Sequence, residues 1–409
     1  MHMFNNVITY IKKNRTIIYI LLASFIFRLL FSLDNNKTLF CDISAYDSFA
    51  LNVFKTGAYP SGLYFAPAYP FFAGYIYKIL GYGYTNVYMV QTILGTCNTL
   101  LIYLIAKDIF DERLGLASAA ASLLYWPLTL YSGILQSEIL FLFLLLSGFY
   151  FLLRGLSTHK VIYFIPCGLL FALSTLTRSI NLLLVFLIPA AYFVFSYKQL
   201  KKFIINSVVF VVTFCLVMSP WVIRNYNLYH AFIPVDSLSG LNLYIGNNEK
   251  ANGFFVDITN QYPLNDPKLD NIEIDNITKK LAVDYIEQHP IRAAGLTIWR
   301  GLLFVGLDIG EVDWVLTKYM SQNIFFHYEP WYVLIYISDL LFFILAVLGL
   351  PKLLKTQKSM VLLGFIFYYF ALTSLFYIQA RYRLPVMPFM AIAAAFSTEK
   401  FFPRLYSAL

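Results

Sequence analysis

Two carboxylates and three arginine sites stand where this chain is otherwise apolar. Asp42, in Cys41-Asp42-Ile43-Ser44-Ala45-Tyr46, follows an apolar run and opens an amphipathic stretch. Glu138, in Gln136-Ser137-Glu138, opens another apolar run. Arginines stand at run edges: Arg178, Arg224 after Pro220-Trp221, and Arg381-Tyr382-Arg383 before Leu384-Pro385. A carboxylate can accept a proton from a hydroxyl. Guanidinium groups hold a phosphate in bidentate fashion. Ionised groups at membrane depth are costly and tend to be paired or used. Together they suit proton abstraction beside a phosphate-bearing, lipid-borne substrate.

Plainer roles exist for each. Asp42 sits where a helix N-cap belongs, and Glu138 is favourably placed near a helix N-terminus. Any one arginine could snorkel to headgroups, and Arg28, within the first run, is expected to do so. Three arginine sites on one face weaken that reading for the set. Asp47, five residues after Asp42, lies about 140° around a helix from it and is expected to face headgroups. Tyr59, Pro60, Tyr64, Pro67, Tyr69 and Pro70 form either an interfacial aromatic belt or a rigid wall for a sugar ring. The five histidines are scattered without metal-ligand spacing. Cys41, Cys97, Cys167 and Cys215 have no CxxC spacing and read as packing residues.

The elements that must position these groups are membrane helices. Hydrophobic residues make up 59% of the 409 and charged ones 13%, against about 25% charged in soluble domains. The expected fold is an all-α polytopic membrane protein. Apolar runs give about ten spans: 16–33, 86–106, 114–132, 135–153, 161–178, 180–197, 203–222, 330–350, 359–378 and 384–398. The first, after Lys12, Lys13 and Arg15, reads as a retained signal-anchor helix. The stretch after Asp42, with Ile43, Tyr46, Ala50, Val53 and Phe54 before Gly57, predicts an interfacial amphipathic helix with a glycine stop. The run 291–307 carries Arg292 and Arg300 and predicts a second interfacial helix. Three parts follow: 1–222, a transmembrane module with a first external loop 34–85; 223–329, an external cap rich in Asp and Glu; and 330–409, the last transmembrane helices.

The net charge of +8 does not point to nucleic acid. Lys107/Arg113, Arg154/Lys160, Lys198/Lys201/Lys202 and Lys352/Lys355/Lys358 fall on one face of the predicted topology, as the positive-inside rule requires. Both termini are then cytoplasmic, and Asp42, Glu138 and the edge arginines face outward.

The ordered set of residues resembles a known family. It runs Asp42 with Tyr46, Gly57-x-Tyr59, Pro67-x-Tyr69-Pro70, Glu138, Arg178, Pro220-Trp221-x-x-Arg224-Asn225, Gly240-x-Asn242-x-x-x-Gly246-Asn247-Asn248, and Arg381-Tyr382-Arg383-Leu384-Pro385. This resembles the GT-C superfamily of integral-membrane glycosyltransferases, in the bacterial branch of aminoarabinose transferases and protein O-mannosyltransferases. The resemblance implies a polyprenyl-phosphate-linked sugar donor, a glycan, lipid or protein acceptor, and a site on the periplasmic side of a bacterial inner membrane. It makes Asp42 the catalytic base and Glu138 a second acidic residue that orients the acceptor or binds a cation. Arg178, Arg381, Arg383 and Arg224 would bind the donor phosphate. Tyr46, Tyr64, Tyr69 and Asn247 would line the sugar or acceptor site. Many relatives carry an Asp-Glu pair in the first loop. This chain has Asp42-Ile43, which leaves a divalent cation open and names no other cofactor. Many relatives also carry a large soluble C-terminal domain; the expectation here is that an acceptor-recognition domain is missing or reduced to the 223–329 cap. Two other readings compete: a transporter or flippase for a lipid-linked or anionic solute, and an O-antigen ligase or polymerase.

Overall fold

The computed structural model describes residues 15–33, 41–305 and 329–401. Lys12, Lys13, His2, His327, Arg404 and the cap beyond residue 305 lie outside the described residues. Within them the elements are helical, apart from an isolated parallel bridge between Phe254 and Ile378.

Helices α1 (Arg15–Ser32), α4 (Tyr84–Ile109), α7 (Glu138–Thr158), α10 (Leu200–Tyr229) and α14 (Glu329–Gly349) account for five segments long and apolar enough to cross a membrane. A sixth is added if α5 (Glu112–Ser122) and the segment Pro127–Gly133, which includes α6 (Pro127–Leu130), count as one bent span. The other apolar runs form shorter helices: α8 (Phe164–Thr175), α9 (Leu184–Ser196), α15 (Gln357–Thr373) and α16 (Met387–Phe401). Helix α1 packs on α4, α7 on α4 and α8, α8 on α10, and α16 on both α5 and α14.

The run 114–132 is not the straight span its apolarity predicts. It bends by 78° between Ser122 and Pro127. Pro127 has no N–H and stands at the first position of α6, where that costs least. Irregular backbone survives at membrane depth only if protein groups satisfy it. Gln91 of α4 donates from Nε2 to the carbonyls of Ser132 (3.0 Å) and Ile134 (2.8 Å). Arg28 of α1 donates from Nη2 to the Leu128 carbonyl at 3.1 Å. Asp339 of α14 accepts from the Trp126 N–H at 3.3 Å. Arg28 therefore does not snorkel: it is 3% exposed and serves the break. After the break the chain turns through residues 131–137 into α7, which begins at Glu138.

The amphipathic helix α2 (Cys41–Thr56) forms as its spacing predicts. Ile43, Ala50 and Val53 are buried, and Gly57, at φ 73°, receives the closing bond from its N–H to Val53 O at 2.8 Å. Its partner is α3 (Ala68–Leu80). A Cβ on Gly74 would stand 2.7 Å from Val53 Cβ, so the two helices meet at a glycine. This contact corrects the expectation for Asp47. The residue is buried, and Tyr77 donates to its Oδ1 at 2.8 Å, while Tyr82 and Tyr84 donate to Oδ2 at 3.3 and 3.4 Å. Burial raises its pKa and the three phenols oppose the rise.

At the far end of α7, Arg154 meets Asp108 at 3.3 Å and Lys358 meets the same carboxylate at 3.0 Å. Arg154 lies sixteen residues after Glu138, about 24 Å along a helix. The basic clusters of 154 and 358 thus share one end, opposite Glu138.

The cap is built from α11 (Ser239–Gly246), α12 (Asn271–Gln288) and α13 (Pro290–Val305). Asp270 and Glu273 form a reciprocal capping box at the start of α12. Arg300 of α13 is fully buried and donates to the carbonyls of Ser374, Leu375 and Gly246. That one guanidinium joins the ends of α11 and α15.

Gln91→Met keeps the volume and removes both donors to the broken span. Thermal unfolding in detergent should show a loss of about 1–3 kcal/mol for each orphaned carbonyl. An unchanged midpoint would mean that other groups hold the break.

Candidate active site

Four segments bring the charged residues together. Asp42 sits in the first turn of α2, Glu138 in the first turn of α7, Arg178 at the turn after α8, and Arg381 in the 3₁₀ turn Ala380–Val386 before α16. Arg381 Nη2 meets Asp42 Oδ2 at 2.8 Å. Arg178 Nη2 pairs closely with Glu138 Oε1. Arg178 Nε also donates to Ser137 Oγ at 3.2 Å, and the Tyr46 phenol reaches the same oxygen at 3.4 Å. Burial pushes the Tyr46 phenol pKa up, and Arg178, Glu138 and Asp42 all act on it electrostatically. Arg178 in turn senses Arg381. Two ion pairs of no net charge thus stand within electrostatic reach of each other, and three of their four groups act on one phenol.

The two pairs differ in setting. Glu138 is 2% exposed, and its second oxygen, Oε2, is buried without a hydrogen-bond partner. Burial is the largest influence on Arg178 and opposes its charge, but Glu138, Tyr369 and Tyr46 together outweigh it and the guanidinium pKa rises. Asp42 is more open, its side chain 32% exposed. Tyr46 stacks on Phe65 with centroids 4.1 Å apart and meets Tyr69 edge-on at 5.0 Å. Tyr69 donates to Gln91 Oε1 at 2.7 Å. Gln91 therefore links the broken span to this aromatic wall.

Other residues with sequence-level promise stand elsewhere. Arg224 Nη2 donates to the Pro60 carbonyl at 2.9 Å and its guanidinium lies over Trp221 and Tyr59, so it clips the loop after α2. Arg383 is buried, donates to Phe304 O at 3.0 Å and lies over Phe343. Asn247 is buried and donates to the carbonyls of Leu243 and Leu375 at 2.9 and 3.0 Å. Tyr64 is exposed and packs edge-on against Phe65.

Three residues of the site were not singled out by sequence. Ser137 was visible only as the neighbour of Glu138. Tyr369 of α15 hydrogen-bonds Arg178, and one tyrosine in a tyrosine-rich span gives no signal. Asp236, before α11, is reached by the Ser179 hydroxyl and the Leu238 N–H. Burial raises its pKa from 3.8 to about 6, those bonds oppose the rise, and Asp275 adds to it.

Residues 65–223 match the family model of dolichyl-phosphate-mannose-protein mannosyltransferases. No curated protein sequence matches the chain. Among solved structures, an oligosaccharyltransferase from Archaeoglobus fulgidus tethered to an acceptor peptide superposes with TM-score 0.58 at 13% identity, over 98% of this chain and 51% of that one. Archaeal AglB from the same organism, in complex with an inhibitory peptide and a dolichol-phosphate, gives 0.54 at 14%, over 98% and 52%. The chain shares the fold of these membrane oligosaccharyltransferases. ArnT from Cupriavidus metallidurans, in the apo state, shares it at TM-score 0.51 and 14% identity, over 96% of this chain and 61% of that one. The chain spans about half the length of the oligosaccharyltransferases and about three fifths of ArnT. The matched segment 65–223 holds Glu138 and Arg178, whereas Asp42 and Arg381 lie outside it.

Two outcomes test the electrostatics. Arg178→Leu leaves Glu138 charged and unpaired, which should cost about 3–5 kcal/mol, and the Glu138→Leu/Arg178→Leu double variant should recover most of it. A double-variant loss equal to the sum of the two single-variant losses would show that the pair is not coupled. The folded pKa of Asp236 is raised, so its stabilising contribution is complete below 3.8 and lost as pH rises through about 6. The unfolding midpoint should therefore fall more between pH 5 and 7 in wild type than in Asp236→Asn; parallel profiles would contradict this.

Proposed function

We propose that the protein is a glycosyltransferase that moves a sugar from a polyprenyl-phosphate carrier to an acceptor hydroxyl at the outer face of a bacterial inner membrane. The observation that carries this is the pairing of Asp42 with Arg381 and of Glu138 with Arg178, two ion pairs within electrostatic reach of each other in a GT-C-like fold. The bound dolichol-phosphate of archaeal AglB supports the class of donor.

The chemistry needs few groups. The acceptor O–H gives its proton to Asp42 as its oxygen bonds to the anomeric carbon. The bond from that carbon to the phosphate oxygen breaks, and its electron pair leaves with polyprenyl phosphate. Arg381 and Arg178 stabilise the departing charge. One displacement inverts the anomeric centre. Arg224 and Arg383, which earlier shared the phosphate role, are assigned here to fixing the loop after α2 and the turn before α16.

In the resting arrangement Arg381 is held by Asp42. A donor phosphate competes for that guanidinium, and when it wins, Asp42 is released to act as base. Glu138 keeps Arg178 in place. Each carboxylate is matched to a guanidinium, and among the described residues no three His, Cys, Asp or Glu side chains gather as metal ligands. Arg178 and Arg381 supply the counter-charge in this arrangement.

The test is release of polyprenyl phosphate from a panel of radiolabelled polyprenyl-phosphate sugars by purified protein. Wild type should release it and Asp42→Asn should lose at least about a hundredfold in rate, the lower range for a general base. The same variant should bind polyprenyl phosphate several-fold more tightly, because Arg381 has lost its competitor. Near-normal turnover in Asp42→Asn would remove the base, and weaker phosphate binding would contradict the exchange.

A further inference from the structure

Arg381 is held by more than Asp42, and its second partner has no part in the chemistry above. Its Nε donates to Gln379 Oε1 at 2.7 Å, while Nη2 donates to Asp42 Oδ2 at 2.8 Å. A guanidinium is a rigid planar fork, so oxygens on two of its nitrogens fix its plane as well as its position. One of these oxygens is charged and leaves in the exchange proposed above. The other is neutral and stays.

Arg178 is held on the same plan. Its Nε donates to Ser137 Oγ at 3.2 Å and its Nη2 pairs with Glu138. In both arginines a neutral side-chain oxygen takes Nε and a carboxylate takes Nη2.

Gln379 stands on fixed backbone. It is extended, at φ −125° and ψ 146°, and heads the 3₁₀ turn Ala380–Val386. Its carbonyl accepts from the Tyr382 N–H at 2.9 Å. Just before it, the Ile378 N–H donates to Gly253 O at 2.8 Å, and Ile378 bridges Phe254. Gly253 has φ 102°, and a Cβ there would stand 2.8 Å from Trp299 Cδ1, so a glycine lets this segment close on α13 and still reach Ile378. The backbone that carries the amide is therefore set by the cap and the turn, independently of Asp42.

The charge of this second partner matters. A phosphate that takes Arg381 from Asp42 has to displace one carboxylate. With a glutamate at 379 it would have to outcompete two. With an apolar side chain there, Arg381 would regain rotamer freedom as soon as Asp42 let go, and binding would have to remove it again. An amide holds the fork without neutralising it.

We propose that Gln379 is the positioning residue of Arg381: it keeps the guanidinium aimed at the donor phosphate while Asp42 gives way to that phosphate. This rests on the glycosyltransferase reading, in which Arg381 binds the donor.

The test measures binding of radiolabelled polyprenyl phosphate to the whole chain in detergent, with donor KM, kcat and thermal midpoint alongside. Gln379→Met is near in volume and removes the acceptor. It should weaken polyprenyl-phosphate binding about tenfold, the lower range for a hydrogen bond to a charged group, and raise donor KM to match. At saturating donor the phosphate itself holds the fork, so kcat should fall by a smaller factor than KM rises. Gln379→Glu keeps the acceptor but adds a competing charge, and binding should weaken by a similar factor or more. Adding Asp42→Asn to Gln379→Glu returns Arg381 to a single carboxylate and should recover most of that loss in binding. Arg381→Met tests the donor reading on its own and should weaken binding at least as much as Gln379→Met. Unchanged affinity in Gln379→Met beside weakened binding in Arg381→Met would overturn the positioning role and leave the donor reading standing. Wild-type affinity in Gln379→Glu would overturn the need for a neutral partner. A lower thermal midpoint in Gln379→Met, with kcat falling as far as KM rises, would make Gln379 a structural residue of the turn. No effect of Arg381→Met would strike the donor reading itself, and the role of Gln379 with it.

Discussion

A chain broken inside a membrane must match every backbone group that the break sets free, and this protein is organised around that requirement. The bend between Ser122 and Pro127 frees carbonyls and an N–H that lipid cannot satisfy. Gln91, Arg28 and Asp339, from three different helices, supply the partners. Their bonds fix where residues 131–137 run, and so where α7 begins. Ser137 and Glu138 stand at that beginning, and Arg178 is held against them. Gln91 also takes the Tyr69 phenol, which braces Tyr46 from the other side. A buried polar side chain in a span is here a strut for the site, not an ornament of it.

The legible parts of the sequence were those where a charge interrupts apolar residues. Asp42, Glu138, Arg178 and Arg381 were visible because each is expensive where it stands, and the structure brings these four together. The amphipathic helix α2 was legible from its period and its glycine stop. Partnership was not legible. Arg381 and Arg383 sit two residues apart with the same chemistry, yet one meets Asp42 and the other a backbone carbonyl. Asn247 lies in a motif-like glycine and asparagine cluster, and its amide is spent on joining Leu243 and Leu375 carbonyls. The break in 114–132 was hidden because hydropathy averages over a window and is blind to bond direction. Asp47 was misjudged because angle around one helix says nothing about a second helix, α3, that covers it.

The site at rest is self-neutralising. Each acid has its own arginine. Such an arrangement keeps charges stable at low water content until an anion arrives to redistribute them. The more open pair contains Asp42, the proposed base, whereas Glu138 is almost fully buried.

The most direct measurement is a cryo-electron microscopy structure of the chain with polyprenyl phosphate bound. The phosphate is expected between Arg178 and Arg381, with Arg381 and Asp42 moved beyond about 4 Å, the reach of an ion pair. A phosphate bound elsewhere, with the Asp42–Arg381 pair intact, would contradict the proposed exchange and with it the role given to Asp42.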